Sequence, residues 1–289
     1  MIIDFRYHIA SLVAVFLALG IGMLIGSTML DESVFTDRQD QIAEKLEQHL
    51  TELRQENEEV RVQLSVLESE NLLQRQVNRD FLPYLVAGRL EGVKVALIET
   101  STYPHEQDLR PLLELAGVEI QSVTTVNNSF QITGRKGEVL AHAQWVDMPD
   151  HQLVKKLAVT TAETILAGPT EFTDYMIHED FVTVTGEYGL PVDAVIFLGG
   201  SHDREFLSVA DVDLPMLEYF AARGITTFGV EESISAGSYM KEYQRKCRAT
   251  VDNIETAAGQ FALIMAMAGR EGHFGVKETA QRLLPVFEH

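Results

Sequence analysis

The chain has 289 residues, with 43 acidic against 23 basic side chains, a net charge of −20 and a single cysteine. That charge repels phosphate backbones and anionic headgroups, which argues against nucleic-acid binding, and the lone Cys247 excludes an intrachain disulfide and any cysteine-rich metal site. Residues 1–30 are neutral, 31–80 carry 13 acids and six bases, and the rest of the chain carries the remaining −13, so the acidity is spread for solubility and does not form a tail.

The first predicted element is a membrane span. Residues 9–30, IASLVAVFLALGIGMLIGSTML, are 22 positions without a charge, and about 20 helical residues at ~1.5 Å each cross a ~30 Å hydrocarbon layer. A cleaved signal peptide would want a shorter apolar run and a better small-residue cleavage site. Ala10, Ala14, Ala18, Gly22 and Gly26 recur at every fourth position. They lay small side chains along one ridge, where two membrane helices can approach closely. The flanking charges, Arg6 on one side and Arg38 and Lys45 on the other, do not decide orientation.

A heptad follows. Its a positions are Ala43, Leu50, Asn57, Leu64, Asn71 and Asn78, and its d positions Leu46, Leu53, Val60, Leu67, Gln74 and Phe81. The positions between are polar, and Pro83 is expected to stop the helix. Asn57 and Asn71 at a positions each pair with their own copy across a parallel dimer, which fixes register. Glu56 with Arg61 and Glu70 with Arg75 are g-to-e pairs of opposite sign between two such helices. The expectation is a parallel homodimeric stalk, loosened at Gln74 and Asn78, with a helix folded back on the head or paired with another protein's coil as the alternatives.

Beyond the stalk the period changes. Residues 93–100 (VKVALIET) and 118–126 (VEIQSVTTV) read as strands around a helix at 108–117 ending in glycine. A helix over 151–168 closes at Gly168-Pro169, a buried strand follows at 192–200, then a helix at 214–224 capped by Asp213 and a strand at 225–232. A buried helix over 250–269 is entered through Asp252-Asn253, and 276–284 reads as a short last helix. The fold class is therefore α/β. An N-terminal transmembrane helix (1–30) leads to a parallel coiled-coil stalk (31–83) and a Rossmann-like head with a largely parallel sheet (91–289).

Ligands in such sheets bind beyond the carboxyl ends of the strands, here the loops 99–106 and 199–205. The first has no glycine, and neither GxGxxG nor a P-loop occurs, so no cofactor is expected. Gly199-Gly200-Ser201 reads as a tight turn in preference to an anion nest. Ser201-His202-Asp203 are sequence neighbours, which does not make a triad; an enzyme would need Glu99, His202 and Asp203 gathered in one pocket. His178-Glu179-Asp180 reads as a solvated loop. For copper, the nine methionines and nine histidines form no Met-rich repeat and no His pair at helical spacing. Met265 and Met267 read as core filler, and Arg245, Lys246 and Arg248 beside Cys247 would favour its thiolate. No catalytic residue is assigned, no metal ligand can be named, and the chain reads as a non-enzyme.

FRYHIASLVAVFLALGIGMLIGS (5–27), ATVDNIETAAGQFALIMAMAG (249–269) and the ending AQRLLP (280–285) resemble the MctB family of bacterial envelope proteins. That resemblance implies an extracytoplasmic head on a single-pass anchor and a part in copper transport or copper ion homeostasis. It also admits a scaffold role, since related proteins called SteB act with a partner protein, SteA, in cell separation. Copper as a bound species is implied by the resemblance alone, and residues 127–192 carry none of its motifs.

Overall fold

The computed structural model describes residues 5–101, 106–127, 130, 132, 134–201 and 209–286, except for the side chains of 5, 29–40 and 106–108. Two units divide the chain, Met1–Leu73 and Gln74–His289. The described residues of the first unit, from Phe5 on, lie within helix α1, Phe5–Val86. Its stretch Arg6–Thr28 is long and apolar enough to cross a membrane. Further along, Leu46, Leu50, Leu53, Val60, Leu64 and Leu67 are each between 45 and 62% exposed, so a single chain leaves the heptad seam uncovered.

In the second unit α1 does not end at Pro83 but continues to Val86. Proline lacks an N–H and so loses one bond to the turn before it, a small loss so near a helix end. Leu82 and Val86 bury against the head, and the chain turns at Gly88, whose φ of +66° suits glycine.

The remaining elements, in chain order, are β1 (Lys94–Glu99), α2 (Glu106–Leu115), β2 (Glu119–Val126), α3 (Lys136–Ala143), α4 (Asp150–Ala167), α5 (Glu171–His178), β3 (Val182–Gly186), β4 (Ala194–Leu198), α6 (Asp213–Ala222), β5 (Thr226–Val230), α7 (Met240–Tyr243), β6 (Ala249–Val251), α8 (Ala257–Met267) and β7 (Gly272–Phe274). They form one seven-stranded sheet in the order β3-β2-β1-β4-β5-β6-β7. All neighbours are parallel except β2 and β3. The largely parallel sheet expected from the sequence is present, with one antiparallel edge.

Both faces are covered, which is why β1 and β4 read as unbroken apolar runs. Val95 and Leu97 face Leu113 of α2, Ile264 of α8 and the end of α1; Ala96 and Ile98 face Leu157 of α4 and Phe220 of α6. Strand side chains alternate between faces, so adjacent residues of one strand serve two cores.

Three local expectations are corrected. Asp213 is not a helix cap: Val212 occupies that position, α6 begins at Asp213 itself, and no side chain caps it. The entry to α8 is capped by Thr256, whose hydroxyl accepts from Gly259 N at 3.0 Å, while the segment before Asp252-Asn253 is strand β6. Residues 276–284 are not helical: the chain returns alongside β7, with Gln281 N donating to His273 O at 2.8 Å and Gly275 N to Arg282 O at 3.0 Å, while Asp252 binds the backbone amides of Val276 and Lys277 at 2.7 and 3.2 Å. His178-Glu179-Asp180, read as a solvated loop, lies at the end of α5 and the turn after it, with His178 and Asp180 exposed and Glu179 half-buried. Arg135 pairs with Glu179 and lies over the Phe181 ring, and Asn127 donates to Asp180 at 2.8 Å.

Candidate functional site

The strand order reverses between β1 and β4, where successive crossovers leave by opposite faces, which is the place where open α/β sheets commonly bind ligands. Thr100 follows β1 there, and Gly199 follows β4. Asp213, at the start of α6, is 1% exposed and Tyr243, at the end of α7, is fully buried. Two glycines make room for the tyrosine. A side chain at Gly199 would overlap the Tyr243 hydroxyl, and one at Gly229 would overlap its ring. Phe197 meets that ring edge-on, with centroids 6.2 Å apart.

Burial pushes the Asp213 carboxyl up to about 7, with the nearby Thr100 and Tyr243 hydroxyls acting in the opposite direction. Burial also holds the Tyr243 phenol well above its usual range. The three groups are neighbours without being well aligned, since Asp213 Oδ1, Thr100 Oγ1 and Tyr243 Oη each lack a hydrogen bond of normal geometry. Such a carboxyl can exchange a proton near neutrality.

A second buried carboxylate follows β5. Glu231 is fully buried and is bound by Ser238 Oγ, by Tyr239 N at 2.8 Å and by Lys277 Nζ. The same ammonium donates to Glu232 O at 2.8 Å and Ser235 Oγ at 2.6 Å, which uses all three of its protons. With all three protons committed in this way, the ammonium is a clamp on the segment after β7. Gly275 belongs to it, because at its φ of +144° a side chain would strike the Asp252 carboxylate.

The residues singled out from the sequence are largely dispersed. Glu99 is 3% exposed and accepts from Thr125 at 3.1 Å, whereas His202 and Asp203 lie outside the described residues. Gly199 N is bonded to Val230 O, and Ser201 exchanges backbone hydrogen bonds with Gly237, so this turn spends its amides on the fold in place of an anion. Met265 is buried in the core with Met267 against it. Cys247 is not activated: burial pushes its thiol up to about 12, while Arg245, Lys246 and Arg248 turn to Glu242, Glu218 and Glu271. Ala10, Ala14, Ala18 and Gly22 are exposed along α1 and Gly26 is half-buried, with nothing within 4 Å of a side chain added at Gly22 or Gly26. Asn57 and Asn71 are likewise exposed on the helix.

Sequence reasoning missed Thr100, Asp213 and Tyr243 as a group. Its available signal was Gly229 inside an apolar strand, where glycine often marks close approach by another group.

A family model described as copper transport outer membrane protein, MctB, matches residues 2–285. The chain belongs to the MctB family. No curated protein matches it. Among solved structures, it is similar to a crystal structure of MurG from Acinetobacter baumannii, at 15% identity and a TM-score of 0.30, over 55% of this chain and 40% of that one. The chain thus spans about two-fifths of the length of that structure, and neither fold nor activity is carried across at such similarity. In this MctB-family chain, no group of three or more His, Cys, Asp and Glu among the described residues is placed to hold a metal ion.

Proposed function

We propose that the chain is a single-pass protein of the bacterial cell envelope that acts in copper homeostasis, without enzymatic activity of its own, with its head on the extracytoplasmic side. The observation that supports this reading is the family match over residues 2–285, which takes in the apolar helix, the heptad segment and the head alike. The helix Arg6–Thr28 serves as the anchor, although length and composition alone would also suit a signal sequence. A single spanning helix satisfies its own backbone but encloses no channel, so the chain reaches copper as part of an assembly or through the integrity of the envelope. Deleting the gene is expected to raise intracellular copper and lower growth in copper-supplemented medium. Unchanged copper content together with unchanged tolerance would overturn the reading.

A second reading is favoured by the seam. The uncovered a and d side chains from Leu46 to Leu67, interrupted by Asn57, suit a parallel homodimeric coil that holds partner proteins, such as one resembling SteA, at the envelope. The ridge from Ala10 to Gly26 would carry the same pairing into the membrane. Leu53→Cys or Leu67→Cys is expected to give a disulfide-linked dimer in oxidised membranes. A chain that remains monomeric at both positions would remove the parallel stalk.

A further inference from the structure

We propose that two copies of this chain meet a second time at the base of the head, through an apolar collar made by Val77, Phe81, Tyr84 and Leu85 on the last turns of α1. This rests on the paired-stalk reading and extends it to a place where the sequence, with polar Gln74 and Asn78, suggests that the helices separate.

These turns belong to the head's own unit, which begins at Gln74. Leu82 and Val86 enter the head core at 7 and 0% exposure, yet the residue before each remains outside, with Phe81 62% and Leu85 46% exposed. Neighbouring residues are ~100° apart around an α-helix, so the head covers one flank and leaves the adjoining one open. Val77 and Tyr84 widen the open flank, at 43 and 85% exposure.

Register names the occupant. Counting heptads from Ala43 makes Phe81 a d position and Leu85 the next a, so the open flank continues the same seam. The flanking positions change character with it. In the stalk the g residues Glu56 and Glu70 are acidic and meet arginine at e, whereas at the collar the g residues are Val77 and Tyr84, and the e residue, Leu82, is taken up by the head of its own chain. The exposed g side is thus apolar at the point where charge pairing stops, beside the seam residues Phe81 and Leu85. The matching surface is therefore the same helix of a second copy in parallel register.

The test uses the full-length chain in membranes, with single substitutions Leu53→Cys, Phe81→Cys and Leu85→Cys, and Arg79→Cys as a control on a different face. Diamide is the oxidant, and the wild type measures any background from buried Cys247. All the positions substituted are exposed, so folding is not at stake. Phe81→Cys and Leu85→Cys are expected to crosslink about tenfold more than Arg79→Cys, at a level similar to Leu53→Cys. Crosslinking at Leu53→Cys with background levels at 81 and 85 overturns the collar and leaves the stalk intact. Crosslinking at 81 and 85 without Leu53→Cys supports the collar and removes the stalk. Background at all three overturns both. A collar occupied by a different protein or a lipid surface would also leave 81 and 85 at background.

Discussion

Replacing Asp213 by asparagine is expected to stabilise the head at pH 8 and to have little effect at pH 4. The unfolded carboxyl ionises near 3.8, whereas burial holds the folded one to about 7. Between those values the folded chain carries a proton that the unfolded chain has lost, so this group makes stability fall as pH rises. The slope is about 1.4 kcal/mol per pH unit, which sums to as much as ~4 kcal/mol across the window and stays constant above it. Asparagine keeps the shape and has no charge to desolvate. Unfolding of the full-length chain in detergent, followed at several pH values, gives the difference between D213N and wild type. It should grow from near zero at pH 4 to its maximum by pH 8. A difference that does not vary with pH would show that Asp213 is not held protonated.

Lys277→Met is expected to be the most damaging single change outside the central core. Glu231 is 0% exposed and Lys277 only 17%, so the substitution leaves a buried carboxylate without its counter-charge and removes the donor to Glu232 O and Ser235. Breaking one side of a buried pair costs about 3–5 kcal/mol. Adding Glu231→Gln to Lys277→Met should recover part of that loss, because the stranded charge disappears with it. Denaturant midpoints of the wild type, both single variants and the double variant measure this coupling. A Lys277→Met loss below ~1 kcal/mol would mean that solvent already screens the pair.

The elements legible in the sequence were those buried on both faces or bounded by turn residues. The central strands β1, β4 and β5 were visible as apolar runs, and α4 was visible because Gly168-Pro169 ends it. The antiparallel β3 was not, since VTVTG is short and faces solvent on an edge. Residues 276–284 have helical spacing in Val276, Ala280 and Leu283, but Gln281 and Arg282 make backbone hydrogen bonds with His273 and Gly275 beside β7, a distant pairing that local spacing does not reveal. Asp213 has the sequence signature of a cap, and only the one-residue offset in the start of α6 sends it inward. The Thr100, Asp213 and Tyr243 cluster draws on three elements far apart in the chain, and no local pattern encodes such a meeting. The same applies to Lys277 and Glu231, which are 46 residues apart. The collar was partly legible: the register located Phe81, but only the burial of Leu82 and Val86 shows which flank the head leaves open.

The clamp also bears on the order of synthesis. The sheet's central strands and α6 are complete by Val230, yet the charge left at Glu231 is compensated only when Lys277 arrives, after β6, α8 and β7 have been made. A nascent head can collapse around its apolar strands but cannot lock until nearly fifty more residues have left the ribosome. A chain cut short after α8 would therefore retain most of its hydrophobic core and still leave the buried Glu231 without its counter-charge.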